Sequence, residues 1–319
     1  MRREAHQPRI LFMGTPAYAV PALSALITAG VAVRVVTQPD RPRGRAHRLQ
    51  PSVVGAWAGE RGLTVDKPER LADFRAVWEA WEPDLLVTAA YGRILPPWLL
   101  ALPKRGAYNL HASLLPRWRG ANPVRWAIWS GDAFSGVTLM RMEPELDAGP
   151  IVAQRPVRVE ELNAGELEAL LAELGATLLT QWLEALLAGT APLVPQDPAG
   201  VTLAPKFAAG MERLDWSGSA EQEARRVRSM APEPGAYTTW QGKRIKVLEA
   251  HPLPAAGLGP GQARLGRDLG RHGREEDSWV VGLRDGSLSL DLIQPAGRRP
   301  MTPGAFCRGQ RLTEGVTLA

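Results

Sequence analysis

Cysteine is almost missing from this chain: Cys307 stands alone in 319 residues, so no intrachain disulfide can form. Histidine is nearly as sparse, with five residues scattered along the sequence, and one cysteine and those five make no spaced zinc-type ligand set. No metal is expected. Apolar runs such as residues 85–91 stop after one strand's length, far short of a bilayer span. The start, Met1-Arg2-Arg3-Glu4, is polar and lacks the apolar stretch of a secretory leader. A cytoplasmic location without a membrane partner is expected. Neither of the common glycine-rich phosphate loops follows the first apolar strand.

What is present reads as a globular protein with a sizeable core, 45% apolar and 22% charged, long enough for two domains. The net charge of +5 is unevenly spread. From Lys206 onward 17 Lys and Arg face 13 Asp and Glu, a balance of +4, which leaves +1 for the first 205 residues. A basic region beside a near-neutral one points to a polyanionic partner, nucleic acid first. A general preference for arginine would give the same balance.

Apolar strands are expected at residues 9–14, 31–37, 63–66, 85–90, 107–111, 137–142 and 151–159, and helices at 18–29, 53–61, 71–81, 122–131 and 163–189. This alternation predicts an α/β domain over residues 1–189, built on a doubly wound, mostly parallel, Rossmann-like sheet. Ligands in such sheets bind beyond the carboxyl ends of the strands, at a topological switch point. Residues 190–205, rich in proline and small residues, read as a linker. Beyond them a helix at 220–229 and β-like runs at 245–248, 278–283 and 288–293 predict a small β-barrel over 206–319, OB-like if it binds nucleic acid. Residues 255–277, rich in Gly and Arg, read as a loop insertion.

The densest segment is Tyr108-Asn109-Leu110-His111-Ala112-Ser113-Leu114-Leu115-Pro116. Side chains alternate along a strand, so Asn109 and His111 share one face at its carboxyl end. Some 30 residues later Asp147 stands in a Gly/Pro turn, Glu145-Leu146-Asp147-Ala148-Gly149-Pro150. Acyl transfer to an amine needs oxyanion donors, a proton acceptor and protonation of the leaving group. Asn109 and His111 can donate, and Asp147 can partner the imidazole or take the amine proton. The amine itself attacks, so no Ser or Cys nucleophile is required. Residue by residue, blander readings stay open: a packed histidine, a turn aspartate, a capping asparagine.

Together, Asn-Leu-His-Ala-Ser-Leu-Leu-Pro at 109–116 and Leu-Asp-Ala-Gly at 146–149 resemble the folate-dependent formyltransferases. The resemblance implies Asn109, His111 and Asp147 as the catalytic set. It implies Ser113, Leu114, Leu115 and Pro116 as folate contacts, with Tyr91, Gly92 and Ile94 of Ala-Tyr-Gly-Arg-Ile-Leu-Pro beside the pterin. The donor so implied is 10-formyltetrahydrofolate.

Gln-Pro-Asp-Arg-Pro-Arg-Gly-Arg at 38–45 resembles the loop that tRNA-acting members insert toward the acceptor stem. Met13-Gly14-Thr15-Pro16, Leu203-Ala204-Pro205-Lys206, Leu214-Asp215-Trp216 and Gln294-Pro295-Ala296-Gly297 resemble the same branch, so the likeness spans nearly the whole chain. It implies initiator methionyl-tRNA as acceptor, contacted by Arg41, Arg43, Arg45 and Arg48, with Arg45 at the loop tip, and by Lys206, Lys243 and Lys246. A solvated basic loop is the plainer account of those arginines. One departure is Pro232-Glu233-Pro234-Gly235, where the family has an aromatic-rich Pro-Trp-Pro. The competing readings are an amino-sugar formyltransferase, a formyl-folate hydrolase and a non-catalytic RNA-binding protein. A monomer is expected.

Overall fold

The computed structural model describes residues 7–43, 48–269, 275–312 and 316–319. Contacts divide the chain into two units. The first comprises Met1–Pro123, Phe134–Arg158 and Glu168–Ala204, and the second Val124–Ala133, Val159–Leu167 and Pro205–Ala319.

The strands of the first unit are β1 (Arg9–Gly14), β2 (Ala32–Val36), β3 (Arg41–Arg43), β4 (Arg48–Gln50), β5 (Val65–Asp66), β6 (Leu85–Ala89), β7 (Ala107–His111), β8 (Arg119–Gly120), β9 (Phe134–Arg141), β10 (Ile151–Arg158) and β11 (Leu203–Ala204). Seven of them form one sheet in the order β10-β9-β7-β6-β1-β2-β5. β1 pairs in parallel with β2 and β6, and β6 with β7, whereas β9 and β10 return antiparallel at one edge. Ile10, Leu11, Phe12 and Met13 are all fully buried. Successive residues point to opposite faces, so both faces of the sheet are covered there and an unbroken apolar run is what the position demands. Strand order reverses between β1 and β6, which puts the carboxyl ends of β1, β6 and β7 at the switch point.

Helix ends are set locally. α1 (Val20–Thr28) has proline in its first turn and is followed by Gly30, whose φ of 74° is left-handed. Ser52 caps α2 (Val53–Gly59) by accepting from Gly55 N at 2.9 Å. Trp78 of α3 (Arg75–Trp81) is fully buried, and its indole N–H donates to Asp66, which Arg34 also grips at 2.6 and 2.9 Å. α4 (Pro97–Leu100), a single turn opened by proline, was not among the expected helices. Two further helices are α5 (Pro123–Ser130) and α6 (Ala164–Ala188). By length and composition α6 is apolar enough to cross a membrane, but its Leu171, Leu179, Leu183 and Leu186 are buried at helical spacing, as in a core helix.

Residues 190–205, expected to be a linker, carry backbone pairings of their own. Val194 exchanges two backbone hydrogen bonds with Ile151, and β11 pairs in parallel with β8.

The second unit holds α7 (Ala220–Met230), β12 (Ala236–Trp240), β13 (Lys243–Leu253), β14 (Gln262–Leu269), β15 (Glu275–Gly282), β16 (Ser287–Pro295), α8 (Pro303–Gln310) and β17 (Val316–Thr317). Its six strands form one curled antiparallel sheet, β12-β13-β16-β15-β14-β17. Ala319 exchanges two backbone hydrogen bonds with Thr239 of β12, tying the far edge back toward the first strand. Trp279, Val247, Leu288 and Ile293 are buried in its core, where Phe306 of α8 meets Trp279 edge-on.

One expectation is corrected here. Residues 255–277 are not a loop insertion: β14 lies within them and pairs along its length with β15. Ala263 and Leu265 share one face, but Leu265 is 47% exposed and Gly266-Arg267-Asp268 follows, so the apolar alternation stops after two residues and gives a weak strand signal. Residues 270–274 lie outside the described residues.

Candidate active site

β7 delivers Asn109 and His111 to its carboxyl end. In register beside Asn109 stands Thr88 of β6, whose hydroxyl donates to Asn109 Oδ1 at 2.6 Å. With its oxygen engaged, the Asn109 amide offers its N–H donors. His111 is buried, and its Nε2 lies 2.9 Å from the carbonyl oxygen of Trp118. A carbonyl only accepts, so Nε2 carries a proton and Nδ1 is the atom left for Asp147. Asp147 Oδ2 lies 3.6 Å from Nδ1, close enough for charge to matter but longer than a hydrogen bond. The same oxygen accepts from Gly120 N at 2.9 Å.

The backbone around this group is unusual. Asp147 and Trp118 both hold left-handed φ, 52° and 67°. Such conformations cost about 1–3 kcal/mol each in a non-glycine residue and persist where surroundings enforce them. Gly120 has φ 120°, and a Cβ there would sit 2.9 Å from Ala204 O. A Cβ on Gly149 would sit 2.0 Å from Arg141 O, so the Asp147 turn lies directly on β9. Thr202 reinforces the facing loop: its hydroxyl accepts from Trp118 N and its carbonyl from Arg119 N, both at 2.9 Å.

The stretch after His111 is held from within. Ser113 is buried and its hydroxyl donates to Arg117 O at 2.6 Å. Thr138 donates to Ser113 O at 2.6 Å and accepts from Leu115 N at 3.1 Å, while Gln154 donates to Leu115 O at 2.8 Å. Leu115 is buried, and Leu114 and Pro116 are half-buried. Tyr91 is buried, with its carbonyl accepting from Thr15 and Gln38. Burial raises the Tyr91 phenol above its ordinary range, with Arg93 opposing, and no partner meets the hydroxyl among the described residues. Gly92 is exposed at φ 85°, where a Cβ would meet nothing within 4 Å, and Ile94 is 78% exposed.

Among the basic residues singled out in the sequence, Arg41 and Arg48 are exposed on the β3–β4 ribbon, and Arg43 is the direct cross-strand partner of Arg48. Arg45 lies outside the described residues. Lys206 and Lys243 are exposed, whereas Lys246 is half-buried and paired with Glu233 at 3.3 Å. Among the described residues no group of three His, Cys, Asp or Glu is placed to hold a metal ion.

Sequence reasoning missed Thr88, Thr138, Gln154, Gln196 and Thr202. For two of them a signal existed: a threonine inside the apolar runs Leu-Leu-Val-Thr-Ala and Val-Thr-Leu must find a partner when buried.

Residues 8–183 match the model for the family described as formyl transferase, and residues 206–311 match that of the formyl transferase C-terminal domain. Curated relatives from Moorella thermoacetica and Delftia acidovorans are each 41% identical over 97% of this chain, and 99% and 97% of their own lengths. A relative from Halorhodospira halophila is 43% identical over 96% of this chain and 98% of its own. All three are named methionyl-tRNA formyltransferase. Among solved structures, HypX from Aquifex aeolicus with tetrahydrofolic acid has a TM-score of 0.67 at 19% identity, covering 97% of this chain and 48% of that one. The N-formyltransferase from Helicobacter canadensis, complexed with folinic acid and dTDP-3-aminofucose, has a TM-score of 0.67 at 15% identity, covering 91% of this chain and all of that one.

Proposed function

Because the chain belongs to the formyltransferase family, with methionyl-tRNA formyltransferases as full-length relatives, we propose that Asn109, His111 and Asp147 are the groups that perform its reaction. That reaction moves the formyl group of 10-formyltetrahydrofolate to the amino group of initiator methionyl-tRNA. The observation that carries the assignment is Asp147 Oδ2 held by Gly120 N and facing His111 Nδ1, beside the Asn109 amide at the end of β7.

The neutral amine attacks the formyl carbon, a new C–N bond forms, and negative charge builds on the formyl oxygen. The N–H of Asn109 and a protonated Nδ1 of His111 stabilise that charge. Asp147 takes the proton the amine loses, directly or through a water, and that proton passes to the leaving N10 as its bond to the formyl carbon breaks. Ser113–Pro116 would border the folate as a wall of fixed shape, since the Ser113 hydroxyl, the Ser113 and Leu115 carbonyls and the Leu115 N–H already have partners. Gly92 and Ile94 would border the pterin.

The tRNA is gripped, on this reading, by Arg41, Arg43, Arg45 and Arg48 and by Lys206, Lys243 and Lys246. Support comes from Arg41 and Arg48, which stand exposed on the β3–β4 ribbon and whose guanidinium forks suit phosphate oxygens. Lys246, already paired with Glu233, is the weakest of the set. The division into 1–189, a connecting 190–205 and a 206–319 tRNA-binding region, the OB-like character of the second sheet, the monomer and the cytoplasmic location belong to the same proposal.

The test is formyl transfer from 10-formyltetrahydrofolate to methionyl-tRNA, an amino-sugar nucleotide and water, for the wild type and Asp147→Asn. Transfer to methionyl-tRNA that collapses in the variant supports the assignment, and unchanged turnover would falsify it. The amino-sugar reading draws on structures that are 14% to 21% identical, which speak for the fold alone.

A further inference from the structure

Gln196 lies in the stretch the sequence marks as linker, yet it makes four hydrogen bonds through its side chain. Its Nε2 donates to the carbonyl oxygens of Asp147 and Gly149, each at 2.8 Å. Its Oε1 accepts from Arg119 Nε at 3.1 Å and Nη2 at 2.9 Å. Both N–H groups and both lone pairs of the amide are used.

These partners close a ring. Arg119 is followed by Gly120, whose N–H donates to Asp147 Oδ2, and Asp147 O returns to Gln196. The amide therefore grips the Asp147 turn from outside and the facing loop at once. Arg119 adds a second link to that turn through Glu145 at 3.4 Å. Two carbonyls held by one amide brace the backbone where Asp147 must stay at a φ of 52°. Only a primary amide of this length fits: a carboxylate has no donors for the carbonyls, an ammonium has no acceptor for the guanidinium, and asparagine is one methylene short.

We propose that Gln196 is the positioning residue that sets the Asp147 carboxylate against His111, so that the stretch after α6 is part of the active site. This rests on the reading of Asp147 given above. Gln196 is half-buried and belongs to no apolar cluster, so its loss displaces the carboxylate rather than unfolding the chain.

Four variants test this beside Asp147→Asn alone: Gln196→Met, which keeps the shape and loses every bond; Gln196→Glu, which keeps the acceptors for Arg119 and loses both donors; and each of these two combined with Asp147→Asn. Single-turnover formyl transfer at saturating co-substrates is measured beside folate affinity and thermal unfolding. Turnover of both single variants is expected to fall about 10- to 100-fold, the scale of a misplaced catalytic group, with folate affinity within about twofold of wild type. In the Asp147→Asn background the same changes should cost less than about threefold, since the carboxylate they position is gone. Near wild-type turnover in Gln196→Glu, or an undiminished loss in the Asp147→Asn background, overturns the proposal. A loss that follows melting temperature does so too, because it marks a merely structural strap. Full activity of Asp147→Asn alone would instead overturn the catalytic reading, whatever Gln196 does.

Discussion

The carboxyl end of β7 and the basic surface of the second unit are built on opposite plans. At the first, each polar group is fixed by a specific partner: Asn109 by Thr88, His111 by Trp118, Asp147 by Gly120 and Gln196. On the second, Lys206 and Lys243 stand exposed, and Arg244 lies over the Tyr237 ring. Chemistry at a carbonyl demands fixed directions, whereas holding a polyanion demands charge at roughly the right place. Substitutions in the two regions should therefore fail differently.

The largest effect is expected at the fixed end. Asp147→Ala should lower turnover roughly 10³-fold, within the range for a lost general base. Asn109→Ala should lower it roughly 10²–10³-fold, as for a lost oxyanion donor. Folate affinity should move far less in both. Rapid-quench measurement of formyl transfer decides this, and a rise in KM without a fall in kcat would break the contrast between the two regions.

Next comes the strap. Gly120→Ala puts a Cβ into the Ala204 carbonyl at a φ reserved for glycine. Strain of about 1–3 kcal/mol is expected, which lowers the melting temperature by several degrees, together with reduced turnover because Gly120 N holds Asp147. Calorimetry and the transfer assay should report both. A variant that melts normally would show that the loop relaxes around the added carbon.

How much of this the sequence displays depends on how local the cause is. β1, β6 and β7 are apolar throughout because both faces are covered, and the reciprocal Asn163–Glu166 cap of α6 is a local pattern; both were legible. The pairing of Asn109 and His111 on one face follows from strand alternation. β14 was hidden because Gly266-Arg267-Asp268 cuts short the alternation that Ala263 and Leu265 begin, and α8 because two glycines dilute a helix that Thr302 caps and Pro303 opens. Gln196 gave no signal at all, since its partners lie 47 to 77 residues away and only the fold brings them together.

A smaller effect is expected on the charged surface. Removing Lys243 should weaken tRNA binding at low salt and reduce the slope of log K against log salt by about one unit, if it meets one phosphate. Arg48→Ala should do the same, and Lys246→Ala less, because Glu233 already partners that ammonium. Formyl transfer at saturating tRNA should hold. A change in turnover with an unchanged salt slope would mean that charge there serves geometry, as it does at Asp147.

The smallest effect concerns pH and lies within the second unit, where two neighbouring carboxyls are pushed in opposite directions. Glu223 is almost fully buried, and that burial raises its pKa despite the N–H of Asp215 and the guanidinium of Arg226. Asp215 is exposed, and the hydroxyl and N–H of Ser217 lower its pKa. A raised carboxyl stabilises the fold below its ordinary range, and that contribution disappears as pH climbs through the raised value. A lowered one stabilises above its ordinary range, and that contribution disappears as pH falls through the lowered value. Glu223→Gln should therefore gain on the wild type in melting temperature between about pH 4 and pH 7, starting from carboxyls near their ordinary range. Asp215→Asn should lose ground as pH rises toward about pH 4, the ordinary carboxyl range, and run parallel to the wild type above it. Thermal melts from acid pH up through that interval measure both differences. Parallel curves for Glu223→Gln and wild type would mean that Arg226 offsets the burial in full, so that this carboxylate is held as firmly as Asp147 and the second unit too fixes its charges where they are buried.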